Sequence, residues 1–275
     1  MTGFRDATID PNAGGTLTVT GTTPTYALGD RLWAFYNADE VNVPLTIPSD
    51  FTLVDSYQTC SFDNNSAGIF KYTGNGGAGT PASGLPSTYS FTTSSQSFPS
   101  TVLLLFTWAG LDDTTITDVQ HTNLGTNHVT NTTASLNGCN TASGDQVFIF
   151  VALDAVDNSK DFTFSATGFT QRAVLSGAAG GTAEYSSLAM LSMDAPATGS
   201  PTGTITLNIT STPLTGADAG GVMAWVLSIP TITAGTLYDV DAGTDTPAVT
   251  DSITAGTNRP SFDIFLPGKT GPFLD

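Results

Sequence analysis

An all-β fold, an antiparallel sandwich built from two related halves, is what this sequence predicts, and three observations predict it. The first is composition: the 275 residues include 47 Thr, 24 Ser, 29 Gly and 15 Pro. Glu occurs only at Glu40 and Glu184, and Lys only at Lys71, Lys160 and Lys269. Few segments could carry the Glu/Lys-rich mixture of a stable exposed helix, whereas Thr suits a half-buried pleated surface and Gly, Pro, Ser and Asn supply turns. The second is period two, clearest at 204–210, TITLNIT, where apolar and polar residues alternate strictly. The third is a repeat: GDRLWAFYNAD at 29–39 returns as GDQVFIFVALD at 144–154, identical at four of eleven positions.

In chain order, Leu17 and Val19 within TLTVT alternate with Thr, and Tyr89 and Phe91 do so within TYSFT. Both read as strands with one wet face. The stretches 102–108 (VLLLFTW), 147–153 (VFIFVAL) and 222–229 (VMAWVLSI) are apolar throughout. They predict strands covered on both sides, by a second sheet on one and by loops or a neighbouring subunit on the other. Further landmarks repeat in order: Phe51-Thr52 with Phe169-Thr170, Tyr89 and Phe91 with Ile205 and Leu207, and Trp108 with Trp225, at offsets of 118, 116 and 117 against 115 for the opening pair. A duplicated unit of about five strands follows, with related halves at about 15–115 and 135–230. One sheet with an apolar face cannot exclude water alone, so the halves are expected to share one core within a 1–230 sandwich. Residues 109–143 are expected as a long connecting loop, a place where contacts that matter often sit. Residues 231–275 have no counterpart and hold short strand-like pieces at 236–240, 248–253 and 261–266. They read as an extension making contacts with a neighbouring subunit or particle.

A net charge of −17 repels phosphate backbones and anionic headgroups, which argues against nucleic-acid and membrane partners. No run of 18 apolar residues occurs, and Met1 to Asp10 is polar with a single Phe4, so neither a membrane helix nor a secretory leader is expected. Cys60 and Cys139 stand one in each half, without metal-ligand spacing nearby. They read either as a bridge or as small buried residues.

Chemistry is sparse. His121 and His128 lie seven apart without the spacing that aims two imidazoles at one metal. Neither a Gly-x-Ser-x-Gly elbow nor a Cys with a nearby His occurs. Asp239, Asp241 and Asp245 alternate as a calcium loop would, but the Gly243 position and Thr250 depart from the helix-loop-helix pattern; a solvated acidic turn is the plainer reading. Asp112-Asp113 could serve sugar hydrolysis only with another carboxylate five to ten ångströms away. The run GNGGAG at 74–79 precedes no helix and reads as a flexible strand connection. Asn64, Asn131 and Asn208 match the glycosylation pattern. Trp33, Tyr57 and Tyr72 could stack on sugar rings if exposed, although each sits in an apolar strand context. The expectation is a protein without catalytic, cofactor or metal residues.

The ordered set Gly29-Asp30, Pro48-Ser-Asp-Phe51-Thr52, Ala67–Tyr72, Tyr89-Ser-Phe91-Thr92 and Thr107-Trp108-Ala109-Gly110 resembles a β-sandwich module of tailed-bacteriophage virion proteins. Gly168-Phe169-Thr170 and Ala224-Trp225 are similar again. The module reads GDLLVA, P-x-G-W-T, YTFT and AWRG. Asp50 replaces its Gly, Phe51 its Trp and Ala109 its Arg. The resemblance implies a jelly-roll-like sandwich in a particle's outer parts, as a head-decoration, tail or fibre-tip component. It implies a non-enzymatic structural protein made in the host cytoplasm, with other virion proteins and copies of itself as partners. A receptor- or glycan-binding module at a phage tail or fibre tip, with a host-surface glycan as partner, is the alternative, and a glycan-degrading enzyme a more distant one.

Overall fold

The structure is a computed structural model. It describes residues 3–13, 17–38, 46–58, 66–74, 84–93, 100–125, 132–155, 161–175, 185–212 and 222–232. The chain divides into a unit Met1–Thr233 and a unit Ala234–Asp275. The second unit, with the strands expected at 236–240, 248–253 and 261–266, lies outside the described residues. Among the described residues there is no α-helix.

A first half holds β1 (Gly3–Ala13), β2 (Thr18–Thr22), β3 (Arg31–Ala38), β4 (Phe51–Gln58), β5 (Ser66–Tyr72), β6 (Thr88–Thr92) and β7 (Ser100–Ala109). A second half holds β8 (Asp118–Gly125), β9 (Thr132–Leu136), β10 (Gln146–Ala155), β11 (Asp161–Ala166), β12 (Phe169–Leu175), β13 (Tyr185–Met193), β14 (Ile205–Thr212) and β15 (Val222–Ile229). Five-stranded sheets run β1-β7-β3-β5-β4 and β8-β15-β10-β13-β12, and small sheets run β2-β6 and β9-β14-β11, with every pairing antiparallel. Written this way, the strand orders of the two halves correspond, with one exception. The counterpart of β11 in the first half is a single bridge, where Thr46 and Thr92 exchange two backbone hydrogen bonds of 3.1 and 2.9 Å. The repeat therefore begins at β1 and β8, earlier than residues 15 and 135. The expected loop at 109–143 instead contains β8 and β9. Their polar residues hide them in the sequence, since β8, DVQHTNLG, offers only Val119 and Leu124 as apolar landmarks.

Where one shared core was expected, the described residues form three. Along β3, Trp33 and Phe35 point to the other half while Leu32, Ala34 and Tyr36 point to β2-β6. On β10, Phe148, Phe150 and Ala152 face the first half while Val147, Ile149, Val151 and Leu153 face β9-β14-β11. Period two sends successive side chains to opposite faces, so strands apolar throughout require two covers. The result is four layers, with the five-stranded sheets in the middle. The covering of the continuously apolar strands comes from these sheets of the same chain. In the shared core Phe35 lies 5.2 Å from Phe150 and 5.6 Å from Trp225, and Trp108 lies edge-on to Phe148 at 4.8 Å. A polar side chain crosses it: the buried Asn37 amide donates to the carbonyls of Leu153 (3.2 Å) and Ser187 (2.9 Å).

The repeated Gly-Asp marks a turn. Gly29 and Gly144 adopt φ of 94° and 92°, a left-handed backbone that other residues adopt only with strain. The following aspartate then closes the turn on itself. Asp30 accepts from Ala27 N at 2.8 Å, and Asp145 from Ala142 N at 2.9 Å. Asp30 also pairs with Arg5, and Asp145 accepts from Ser228 Oγ at 2.8 Å. Bulges recur as well, at Leu53/Asp55 in β4 and Gln171/Ala173 in β12.

β1 also closes an edge that β2 would otherwise leave open. Its alternate polar residues act as a substitute strand: Asp10 accepts from Thr22 N and Asp6 from Thr25 N, both at 2.7 Å, while Thr8 and Asn12 donate to the Thr22 and Thr18 carbonyls. In the second half Asp118 and Thr122 of β8 accept from Asn140 N and Asn137 N. Burial pushes the Asp118 carboxyl up, but hydrogen bonds from Asn140, Gln120 and Val119 outweigh this and hold it below its ordinary value. Unpaired strand edges are templates for other chains. Two outcomes follow. Phe150→Ala should destabilise the protein by about 3–5 kcal/mol in urea titrations. Asp10→Ala should cost about 1 kcal/mol and increase concentration-dependent self-association in light scattering.

Candidate functional site

Two polar clusters join the halves, and both gather residues that the sequence leaves far apart. The first sits at one rim of the shared core, where β4 faces β8. Asp55 Oδ2 accepts from Trp225 Nε1 at 3.0 Å and lies 3.1 Å from His121 Nδ1, and the Tyr57 ring is 4.6 Å from the imidazole. His121 remains 42% exposed at its side chain. An imidazole oriented by a carboxylate is half of an acid–base device, and Asp55 is also occupied by the indole, a bond that serves cohesion. At the opposite rim Arg172 lies over the Phe4 ring, 5.7 Å from its centre, a cation–π contact.

The second cluster lies on the connector between β7 and β8. Asp113 is fully buried, with Arg31 Nε 3.2 Å from its carboxylate in an ion pair whose angle falls short of a hydrogen bond. Lys71 Nζ donates to the Asp113 carbonyl at 2.7 Å. Burial pushes the Asp113 carboxyl up to about 6, against the opposing pull of Arg31 and then Lys71. Asp112 does not join it. That carboxylate turns outward and accepts from Thr114 N and Oγ1 at 3.3 and 2.6 Å, an Asx turn. The Asp112-Asp113 pair is thus split between solvent and interior, and Asp113 faces cations where sugar hydrolysis would want a second carboxylate within reach of solvent.

The remaining candidates fall as follows. Trp33 is fully buried in the shared core, Tyr72 is buried in the first-half core, and Tyr57 is packed on His121. Buried, Trp33 and Tyr72 offer no free ring face of the kind sugar stacking uses. His121, read as a loop residue, belongs to strand β8. Cys139 is a buried free thiol, pushed up to about 11 chiefly by burial, and so behaves as a small apolar residue. Asn208 lies on β14 and donates to the Ser165 carbonyl at 3.4 Å. His128, Cys60, Asn64, Asn131, Asp239, Asp241, Asp245 and residues 75–79 of the glycine run lie outside the described residues. Among the described residues no three His, Cys, Asp or Glu side chains gather to hold a metal. A groove of about 430 Å³ beside β12 and β13 is lined by Gly168, Met193, Pro196 and Pro201, and its carboxylate, Asp194, is taken by Thr170.

Sequence reasoning missed Arg31, Lys71 and Asp55. The signal was present for two of them, since Arg31 and Lys71 interrupt otherwise apolar strands and a cation there needs a partner. No family model, curated protein or solved structure matches this chain.

The Asp113 carboxyl binds its proton more tightly folded than unfolded, where its ordinary value is 3.8. As pH rises from 4 to 6 the unfolded state releases that proton first, so this residue's contribution to stability falls. Relative to Asp113→Asn, the wild type should therefore lose ~3 kcal/mol of unfolding free energy across that window. Below and above it the difference should be flat, as read by urea titrations of both proteins at each pH.

Proposed function

We propose that this chain is a non-enzymatic structural subunit of a bacteriophage particle, displayed on its outer surface as a decoration or cement protein and bound to other virion proteins and to copies of itself. The observation that carries the reading is the chemistry of the two outermost faces. Sheet β2-β6 turns Thr18, Thr20, Thr22, Thr88, Ser90 and Thr92 outward, and some are tied hydroxyl to hydroxyl, Thr18 to Thr92 and Thr20 to Ser90, each at 2.9 Å. Sheet β9-β14-β11 turns Thr133, Ser135, Thr163, Ser165, Thr206, Asn208 and Thr210 outward. In a chain of net charge −17 the side chains named here are uncharged. The β-branched ones lose little freedom on contact, so they suit neighbours that must pack without repulsion.

The jelly-roll-like winding belongs to the same reading. If β8 to β15 are taken as eight successive strands, the order β8-β15-β10-β13 opposite β9-β14-β11 supports a reading as two interlocked Greek keys. The remaining strand, β12, has moved to the edge of the larger sheet.

Mass spectrometry of purified particles of the encoding phage should recover this polypeptide in stoichiometric amounts, and gold-labelled antibody should place it on the particle surface. Its absence from particles, when it is present in infected cells, would refute the reading.

A further inference from the structure

We propose that the end of the shared core around Asp113 is a buried hydration site, in which ordered water molecules bridge the Asp113 carboxylate to the indole N–H groups of Trp33 and Trp108. The proposal does not depend on the virion reading. Period two places Arg31 on the same face of β3 as Trp33, the face that looks toward the second half. Trp108 stands directly opposite Arg31 on β7, and Lys71 directly opposite Trp33 on β5. Asp113 comes down on this patch from the connector, with Arg31 Nε 3.2 Å from its carboxylate and Lys71 Nζ donating to its main-chain carbonyl at 2.7 Å. The five residues are therefore contiguous.

Among the described residues, Trp33 Nε1, Trp108 Nε1, Arg31 Nε and both Asp113 carboxylate oxygens are buried and make no hydrogen bond within the chain. Trp33 and Asp113 are fully buried and Trp108 is 2% exposed, so bulk solvent does not reach them. Buried polar atoms left unmet are costly, and nearly all find a partner in the protein or in ordered water. Packing holds both indoles in place: Trp33 stacks on Phe106 at 6.4 Å and Trp108 meets Phe148 edge-on at 4.8 Å, so neither ring is free to turn toward another acceptor. The chemistry of the unmet atoms selects the ligand. Three are N–H groups that only donate, and two are carboxylate oxygens that only accept. An anion would meet the donors but lie against Asp113. A metal cation would meet Asp113 but face Arg31 and Lys71. Water donates to one set and accepts from the other, and a buried water makes about three such bonds.

The second half shows the same place built without this demand. After its Gly-Asp comes Gln146, with Phe148 two places on and Ile229 directly opposite. Apolar side chains thus stand where the first half has its two indoles, and Gln146 Nε2 donates to the Met193 carbonyl at 2.9 Å. The third indole, Trp225, has a carboxylate as its acceptor, Asp55 Oδ2 at 3.0 Å.

The chain holds three tryptophans, so the full protein labelled with 15N gives three indole N–H signals, assigned by the three Trp→Phe variants. In water-selective NOE and ROE spectra, the Trp33 and Trp108 indole protons should show cross-peaks to water of opposite sign in the two experiments, the mark of water held in place, while Trp225 shows none. A missing water cross-peak at either Trp33 or Trp108 overturns the proposal. Asp113→Leu, whose side chain neither donates nor accepts, should erase both cross-peaks with the Trp225 signal unmoved; their persistence in that folded variant overturns the bridging role of Asp113. If Asp113→Leu does not fold, the wild-type spectra still decide. Crystals soaked in bromide should give no anomalous peak at the site, and the cross-peaks should survive dialysis against EDTA. A bromide peak among Arg31, Trp33 and Trp108, or loss of the cross-peaks with EDTA, would overturn water in favour of an ion.

Discussion

A β-strand that is apolar on both sides must be covered twice, and this constraint organises the molecule. The central strands β3, β7, β10, β13 and β15 present large side chains alternately to each face. A two-layer sandwich would leave half of them wet. Stacking the two five-stranded sheets covers one set, and the small sheets β2-β6 and β9-β14-β11 cover the other. Among the described residues most charged groups are displaced outward or to the rims, where Asp55, His121 and Arg172 sit, or are paired at the strand ends, as Asp30 with Arg5 and Asp113 with Arg31. The hydrophobic term here is not one core with a surface around it but three thin cores in series, each about one side-chain layer deep.

Much of this was legible in the sequence. Period two in 204–210 and the uninterrupted runs at 102–108, 147–153 and 222–229 announce strands of two kinds, and the Gly29-Asp30 and Gly144-Asp145 landmarks announce the repeat. The turn explains why that dipeptide recurs: positive φ requires the glycine, and the open Ala N–H three residues earlier requires the aspartate. Two things were not legible. β8 and β9 escaped because an edge or outer strand needs few apolar residues, and Asp118 and Thr122 serve hydrogen bonds that composition cannot reveal. The number of layers escaped because an apolar run shows that both faces are covered without saying by what.

The polar clusters illustrate the same limit. Asp55, His121 and Trp225 are separated by 66 and 104 residues, and only the stacking of β4 on β8 brings them together. The buried Arg31 and Lys71 could have been suspected from their strand context. Their shared partner could not, because Asp113 reads in sequence as one of two equal acids while the Asx turn gives the pair opposite fates.

The two halves have also stopped being interchangeable. Asn37 reaches across from β3 to two carbonyls of the second half, while the residue at its repeated position, Ala152, has nothing to return. A first half laid on another first half would bring two such amides into one dry layer, and the second half's alanine gives no handle to its own twin. Like therefore mates poorly with like, and a single side chain is enough to make the stack directional.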